Sequence, residues 1–99
     1  MIRIFFAGVL AAGVAFATPA VAQQKIKIGF ITTFSGPQGV MGQYMKDSVE
    51  LALDHLGRKV GGLDVEMFYG DDQVKPDVGV QVAEEMLKKH QVDFMSGII

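Results

Sequence analysis

The chain has 99 residues, of which 49% are hydrophobic and 20% are charged, and it contains 12 glycines. This composition excludes a disordered polar segment and a low-complexity repeat, and the length allows one small globular domain at most. The formal net charge is −2 and the basic residues are spread along the sequence, so nucleic acid is not an expected partner. Because the chain has no cysteine, disulfide frameworks, cysteine-containing zinc sites, thiol nucleophiles and lipid attachment through cysteine are excluded together.

The first 22 residues have the pattern of a secretory signal peptide. Arg3 is followed by an uncharged apolar run over residues 4–17, and the segment ends in small residues spaced A-x-A up to Ala22. A bilayer-spanning helix needs about 20 apolar residues, and here proline and polar residues end the apolar run too early. We therefore expect export with cleavage between Ala22 and Gln23, whereas an uncleaved membrane anchor is the alternative.

The mature segment, residues 23–99, alternates between strand and helix patterns. Residues 25–32 (KIKIGFIT) predict a buried strand, and after a break at SGPQG the apolar residues from about Val40 to Leu56 recur at helical spacing. Glycines 57, 61 and 62 are expected to end this helix and to form a loop. Residues 63–69 (LDVEMFY) alternate as a second strand.

A second helix and a third strand complete the pattern. Pro76 suits the first position of a helix, because its missing N–H would have no partner there, and Asp77 is favourable at the positive end of the helix. The predicted buried stripe of this helix consists of Val78, Val82, Ala83, Met86 and Leu87. Residues 92–99 (VDFMSGII) predict the third strand.

The order strand, helix, strand, helix, strand predicts an α/β fold that begins a doubly wound parallel sheet. Short connections make each helix a right-handed crossover between parallel strands, and the expected strand order is 2-1-3. In that order the first and third strands are neighbours with helices on opposite faces, so a crevice opens beyond their carboxyl ends. We expect a small ligand in this crevice, which the loop of residues 35–42 lines, and Ser35 and Gly36 are candidate ligand-binding residues.

The glycines of this loop do not form a nucleotide motif. Gly36, Gly39 and Gly42 are spaced G-x-x-G-x-x-G, which is neither the dinucleotide fingerprint nor the phosphate loop, so no cofactor is expected. A glycine-rich turn before a helix could still present backbone N–H groups to a ligand carboxylate. A tight strand-to-helix turn without a ligand is the alternative interpretation of the same pattern.

No constellation of catalytic or metal-ligating residues is visible. Asp71 and Asp72 follow the second strand and could be an acid–base pair, but no nearby residue completes a site, and a turn in which they accept backbone N–H bonds is favoured. His55 and His90 each lie at a predicted helix end, where exposed cations are favoured over metal ligands. The sequence therefore predicts a binding module with no catalytic residues and no metal, rather than an enzyme.

In the order of its motifs the chain resembles the periplasmic substrate-binding proteins of branched-chain amino-acid type ABC transporters. The resemblance rests on the signal peptide, KIKIGFITTFSGPQGVMGQ, VEMFYGDDQVKP and VDFMSGII, and it covers the whole mature segment. It implies two α/β lobes that close on a ligand, with residues 23–99 forming the first part of the N-terminal lobe.

The resemblance also implies a function and one further site residue. It implies that the chain captures a small amino acid or an organic acid, including aromatic acids, in the periplasm and delivers it to an inner-membrane ABC permease. Met41 stands where amino-acid binders of the family often have a tyrosine that contacts the ligand, and the principal ligand groups of the family are expected beyond Ile99. A ligand-sensing receptor domain of the same fold, or a fragment of an α/β enzyme, are the alternatives.

Overall fold

The structure, a computed structural model, describes residues 13–16 and 24–98. Residues 13–16 are exposed and have no regular secondary structure. The rest of the expected signal peptide, with the cleavage position between Ala22 and Gln23, lies outside the described residues, so cleavage stays a prediction. Among the helices that are described, none is both long and apolar enough to cross a membrane.

From residue 24 onward the chain alternates between strands and helices. The elements in chain order are β1 (Lys25–Thr32), α1 (Gly39–His55), β2 (Lys59–Val60), β3 (Leu63–Asp71), α2 (Pro76–Glu85), a π-helical turn (Met86–His90) and β4 (Phe94–Gly97). Helix α1 ends where Gly57 adopts a left-handed backbone with φ of +68°. Helix α2 begins at Pro76 without a side-chain cap, because the side chain of Lys75 before it has no hydrogen-bond acceptor.

The four strands form one sheet in the order β2-β3-β1-β4. Strand β1 is parallel to both β3 and β4, so that Phe30 pairs with Tyr69 on one side and with Ser96 on the other. The expected order 2-1-3 of the three main strands is confirmed. The carboxyl ends of β1, β3 and β4 therefore meet at one edge of the sheet, which is where ligands bind in open α/β sheets.

The two helices cover opposite faces of the sheet. Tyr69 of β3 donates its hydroxyl hydrogen to Glu50 of α1 over a distance of 2.6 Å. The next residue, Gly70, faces the other way, and a Cβ atom there would meet Val82 of α2. Because neighbouring residues of a strand point to opposite faces, α1 and α2 lie on different sides, which is the start of a doubly wound fold.

The core lies where β1 passes between these two helices. Phe30 and Ile31 of β1 are buried, as are Leu53 of α1 and Met86 at the end of α2. Phe30 also meets the ring of Tyr69 edge to face, with 6.0 Å between the ring centroids. The carboxyl-terminal half of β1 is buried, because there the strand has neighbours on both edges and helices on both faces, whereas Lys25 at its start is exposed.

The segment between Gly57 and Gly62 is a short hairpin, so the prediction of a plain loop was wrong. Lys59 and Val60 form β2, which pairs antiparallel with the start of β3. The turn between the two strands is Gly61-Gly62, with φ of +58° and +79°. Two successive glycines with positive φ make the tight turn that antiparallel strands prefer, and this pair was the available sequence signal.

The ends of α2 and β4 also differ from the sequence predictions. The last turn of the second helix is π-helical, and Leu87, expected in the buried stripe, is 52% exposed. The wider π-helical turn rotates Leu87 out of the stripe. Of the predicted stripe, Val78, Val82 and Ala83 are half-buried and Met86 is buried. Strand β4 is shorter than the predicted 92–99. It begins at Phe94 and ends at Gly97, where Gly97 and Ile98 have positive φ. Ile99 lies outside the described residues.

Candidate functional site

Two loops lie side by side at the carboxyl edge of the sheet. The first joins β1 to α1 and contains Thr33 to Gln38, and the second joins β3 to α2 and contains Asp72 to Lys75. The main chain links them, because the Asp72 N–H donates to the carbonyl oxygen of Thr32 at 3.0 Å. The parallel pairing of β1 with β3 therefore continues for one step beyond the strands and fixes the relative position of the two loops.

The carboxylates of Asp71 and Asp72 hold this arrangement. Asp71 Oδ1 accepts the N–H groups of Phe34 and Gln73, each at 2.9 Å. Asp72 Oδ1 accepts the Thr33 hydroxyl at 2.6 Å and the Val74 N–H at 3.0 Å. Each carboxylate thus binds one group of the first loop and one of the second, and the predicted role as acceptors of backbone N–H bonds is confirmed.

Hydrogen bonding also keeps Asp71 ionised. The N–H of Phe34 lowers the pKa of Asp71 below its ordinary value of 3.8, with further lowering by Gln73 and Ser35, whereas partial burial acts in the opposite direction. A carboxylate with a lowered pKa is a poor general acid at neutral pH. The geometry therefore gives Asp71 a positioning role at this edge of the sheet.

The predicted ligand-binding residues lie on the outer side of the first loop. Ser35 and Gly36 are exposed, and Gly36 has φ of +68°, which explains why glycine occupies this position. Met41 lies in the first turn of α1 and is 52% exposed. Their role in ligand binding stays a prediction.

The backbone N–H groups that could receive a carboxylate are partly used within the loop. The Gly39 N–H donates to the carbonyl oxygen of Gly36, and the Met41 N–H donates to that of Gln38, both at 3.0 Å. Helix α1 also lies very close to β1, because a Cβ atom on Gly42 would meet the carbonyl oxygen of Thr33. The first loop is therefore a tight strand-to-helix turn, whether or not it also contacts a ligand.

A cavity of about 710 Å³ opens at the same edge, between α2 and the ends of β1 and β4. Its walls are mostly apolar, and its polar side chains belong to Thr33, Gln38, Asp72, Lys75 and Ser96. None of Ser35, Gly36 and Met41 lines it. Gln38, Lys75 and Ser96 were not predicted as site residues. Ser96 lies in β4, and Gln38 and Lys75 are the last residues of the loops that follow β1 and β3, so a position at the carboxyl edge of the sheet was the available signal.

The two histidines differ in their surroundings. His55 is exposed at the end of α1, as expected. His90 is only partly exposed, since its ring stacks on Phe68 with centroids 4.5 Å apart, so the expected solvent exposure was wrong there. The π-helical turn brings His90 back over β3. Within the described part of the chain, no group of three acidic or histidine side chains could hold a metal ion.

An ion-pair network fastens α1 to the sheet on the other face. The Arg58 guanidinium contacts Glu50 and Asp54, both at 2.7 Å, and the Tyr69 hydroxyl donates to Glu50. The hydrogen bond from Tyr69, and then that from Arg58, lower the pKa of Glu50. Burial and the same hydrogen bond raise the pKa of Tyr69. This network lies away from the crevice and holds α1 against β3.

Comparison with known proteins identifies the family. The family model described as periplasmic binding protein matches residues 25–99. A Leu/Ile/Val-binding protein homolog 6 from Brucella abortus is 33% identical over 73 residues, which are 73% of this chain and 19% of that protein. The chain thus spans about a fifth of the length of this curated relative.

Solved structures agree with this assignment. An ABC transporter substrate-binding protein from Sphaerobacter thermophilus is 32% identical, with a TM-score of 0.69, over 73% of this chain and 19% of that one. An ABC transporter solute binding protein from R. palustris in complex with 4-hydroxybenzoate is 34% identical, with a TM-score of 0.68, over 73% and 20%. These relatives are transporter binding proteins and not enzymes, in agreement with the non-enzymatic class expected from the sequence. The chain belongs to the periplasmic binding protein family.

Proposed function

We propose that this protein is the solute-binding component of an ABC uptake system. In this proposal residues 1–22 direct export to the periplasm, and residues 23–99 form the first part of the N-terminal lobe of a two-lobe protein. The lobes close on a small carboxylic acid and deliver it to an inner-membrane permease. The role is non-catalytic and requires neither a cofactor nor nucleic acid.

The observation that carries the proposal is the crevice between β1 and β4. These strands are neighbours in the sheet although two helices and the strands β2 and β3 separate them in the chain, so the strand order reverses at this point. Open α/β sheets bind ligands at such a position, beyond the carboxyl ends of the strands. The family match over residues 25–99 supports the same role for this edge of the sheet.

The ligand we propose is an aromatic carboxylic acid, with a branched-chain amino acid as the second candidate. A relative solved with 4-hydroxybenzoate is 34% identical, and the Brucella relative named for Leu, Ile and Val is 33% identical, so identity alone does not separate the two classes. Met41 favours the first class, because it stands where amino-acid binders of the family often have tyrosine. Ser35 and Gly36 complete the part of the ligand site that we assign to the first loop.

The test compares two proteins by calorimetry. One is residues 23–99, and the other is the product of the gene with the in-frame sequence that follows codon 99. Small-molecule sites bury about 70–90% of their ligand, and one loop cannot do so. We expect the longer protein to bind 4-hydroxybenzoate or isoleucine in a 1:1 complex, and residues 23–99 to show no specific binding. Tight binding by residues 23–99 alone, or none by the longer protein, contradicts the proposal.

Met41→Ala in the longer protein tests the site residue. We expect the affinity to fall by about 1–2 kcal/mol, because a buried apolar contact is lost. Tyr44→Ala is the matched control, since Tyr44 lies one turn further along α1 and is 62% exposed. If both variants bound the ligand with the same affinity, Met41 would not be a ligand-binding residue.

A further inference from the structure

The two walls of the 710 Å³ cavity share an unusual backbone feature. Val74 on one wall has φ of +56°, and Ile98 on the other has φ of +71°. A β-branched residue with positive φ is a conformational outlier, because its Cβ substituents crowd the backbone. These are the two β-branched residues with positive φ in the described part of the chain, and both line this cavity.

The surrounding hydrogen bonds keep Val74 in this conformation. Gln73 before it also has positive φ, at +54°. The carboxylate of Asp71 binds the Gln73 N–H, and that of Asp72 binds the Val74 N–H. Strained backbone persists only where neighbouring groups over-determine it, and such places cluster at binding sites. The acidic pair therefore presents Val74 in a defined position.

Lys75 brings the charge that an organic acid requires. It lines the same cavity, and within residues 13–16 and 24–98 it forms no ion pair. The other charged residue of the lining is Asp72, whose Oδ1 is occupied by Thr33 and Val74. The cavity thus has one ammonium group, one carboxylate that is already hydrogen-bonded through Oδ1, three neutral polar side chains and otherwise apolar walls.

We infer that Val74 and Lys75 are part of the solute site, with Val74 against the apolar body of the ligand and Lys75 against its carboxylate. This inference rests on the proposed function and extends it to the loop between β3 and α2. The loop between β3 and α2, in addition to the first loop, would then determine specificity for an acid with an apolar body.

The test uses the longer protein and 4-hydroxybenzoate, with Val74→Gly and Gln73→Gly as a matched pair. Glycine adopts positive φ without strain, so neither variant should unfold at a lower urea concentration than the parent. Gln73 does not line the cavity. We expect Val74→Gly to lose about tenfold in affinity, as burial of an apolar side chain predicts, and Gln73→Gly to keep the parent affinity.

Lys75→Met tests the charge separately. We expect affinity to fall about fivefold at low salt, and the salt dependence of binding to weaken, because exposed charges are screened by salt. Unchanged affinity in both Val74→Gly and Lys75→Met overturns the inference while leaving the proposed function intact. Equal losses in Val74→Gly and Gln73→Gly also overturn it, because the turn would then act through its conformation alone. A parent protein that binds neither 4-hydroxybenzoate nor isoleucine contradicts the proposed function itself.

Discussion

At the scale of single residues, Asp71 and Asp72 do most to shape the crevice. A pair of carboxylates beside the proposed ligand site suggests a catalytic role, but Oδ1 of each carboxylate already accepts two hydrogen bonds from the loops. Hydrogen bonds to an ionised carboxylate are stronger than those between neutral groups, so two short side chains can hold two loops. The negative charges of Asp71 and Asp72 therefore hold the two loops in position.

Replacing Asp71 tests this role. Asp71→Ala leaves the N–H groups of Phe34 and Gln73 without their acceptor, and we expect the free energy of unfolding to fall by about 1–2 kcal/mol. Asp47→Ala is the control, because Asp47 makes an exposed hydrogen bond with Gln43 within one helix and should cost only about 0.3 kcal/mol. Urea unfolding of residues 23–99 and of both variants measures the difference. Equal losses would mean that Asp71 does not hold the loops.

The pH dependence of stability follows from the lowered pKa of Asp71. A carboxylate whose folded pKa lies below its unfolded value stabilises the fold above the unfolded value, near 3.8, and this contribution is lost as the pH falls through the folded pKa. The lowered pKa of Glu50 acts with the same sign below about 4.5. We expect stability to decrease in acid below pH 4, and Asp71→Asn to show a smaller decrease. An unchanged acid profile in Asp71→Asn would contradict the assignment.

At the scale of elements, close approach between a helix and β1 decides where glycine is required. Gly42 of α1 and Gly79 of α2 both lie inside helices, so alanine gains the same helix propensity at both. Their surroundings differ. A Cβ atom on Gly42 would meet the backbone oxygen of Thr33, whereas one on Gly79 would have an ordinary 3.6 Å contact with Asp72 Cβ.

The two glycines therefore form a matched pair for a stability experiment. We expect Gly79→Ala to stabilise residues 23–99 by about 0.5–1 kcal/mol. Gly42→Ala should destabilise by about 1–3 kcal/mol, because the helix must move away from the strand. Thermal or urea unfolding gives both values. If Gly42→Ala were as stable as Gly79→Ala, α1 would not lie against β1 as described.

At the scale of the whole molecule, the described residues contain one sheet in which β1 and β3 have strand neighbours on both edges. The two edge strands, β2 and β4, differ in how they limit contact with other chains. Strand β2 has only two residues, and one of them is the charged Lys59, so it offers little edge for pairing with other chains. The edge strand β4 presents Phe94, which is 64% exposed and does not line the cavity. Because the chain spans about a fifth of the length of its relatives, we propose that further parts of the protein cover this side.

Export is the prediction that concerns the whole chain. We expect mass spectrometry of the periplasmic product, from the gene expressed in a Gram-negative host, to give Gln23 as its first residue. Ala22→Asp places a charge at the cleavage position and should leave the signal peptide attached. Gln24→Asp is the control, because it adds the same charge after the cleavage position and leaves the apolar run unchanged. A membrane-bound product that begins at Met1 would support the uncleaved anchor.

The order of the main strands and helices could be predicted from the sequence, because hydrophobic periodicity, Pro76 and the glycine after α1 are local signals that act within a few residues. The sequence also predicted the acidic turn and the position of the crevice, since parallel crossovers allow few topologies. Only the tertiary structure showed that Val74, Lys75 and Gln38 face one cavity and that His90 stacks on Phe68. Those contacts join residues that are far apart in the chain, and they depend on how a π-helical turn and a left-handed turn rotate the side chains, which no periodic pattern encodes.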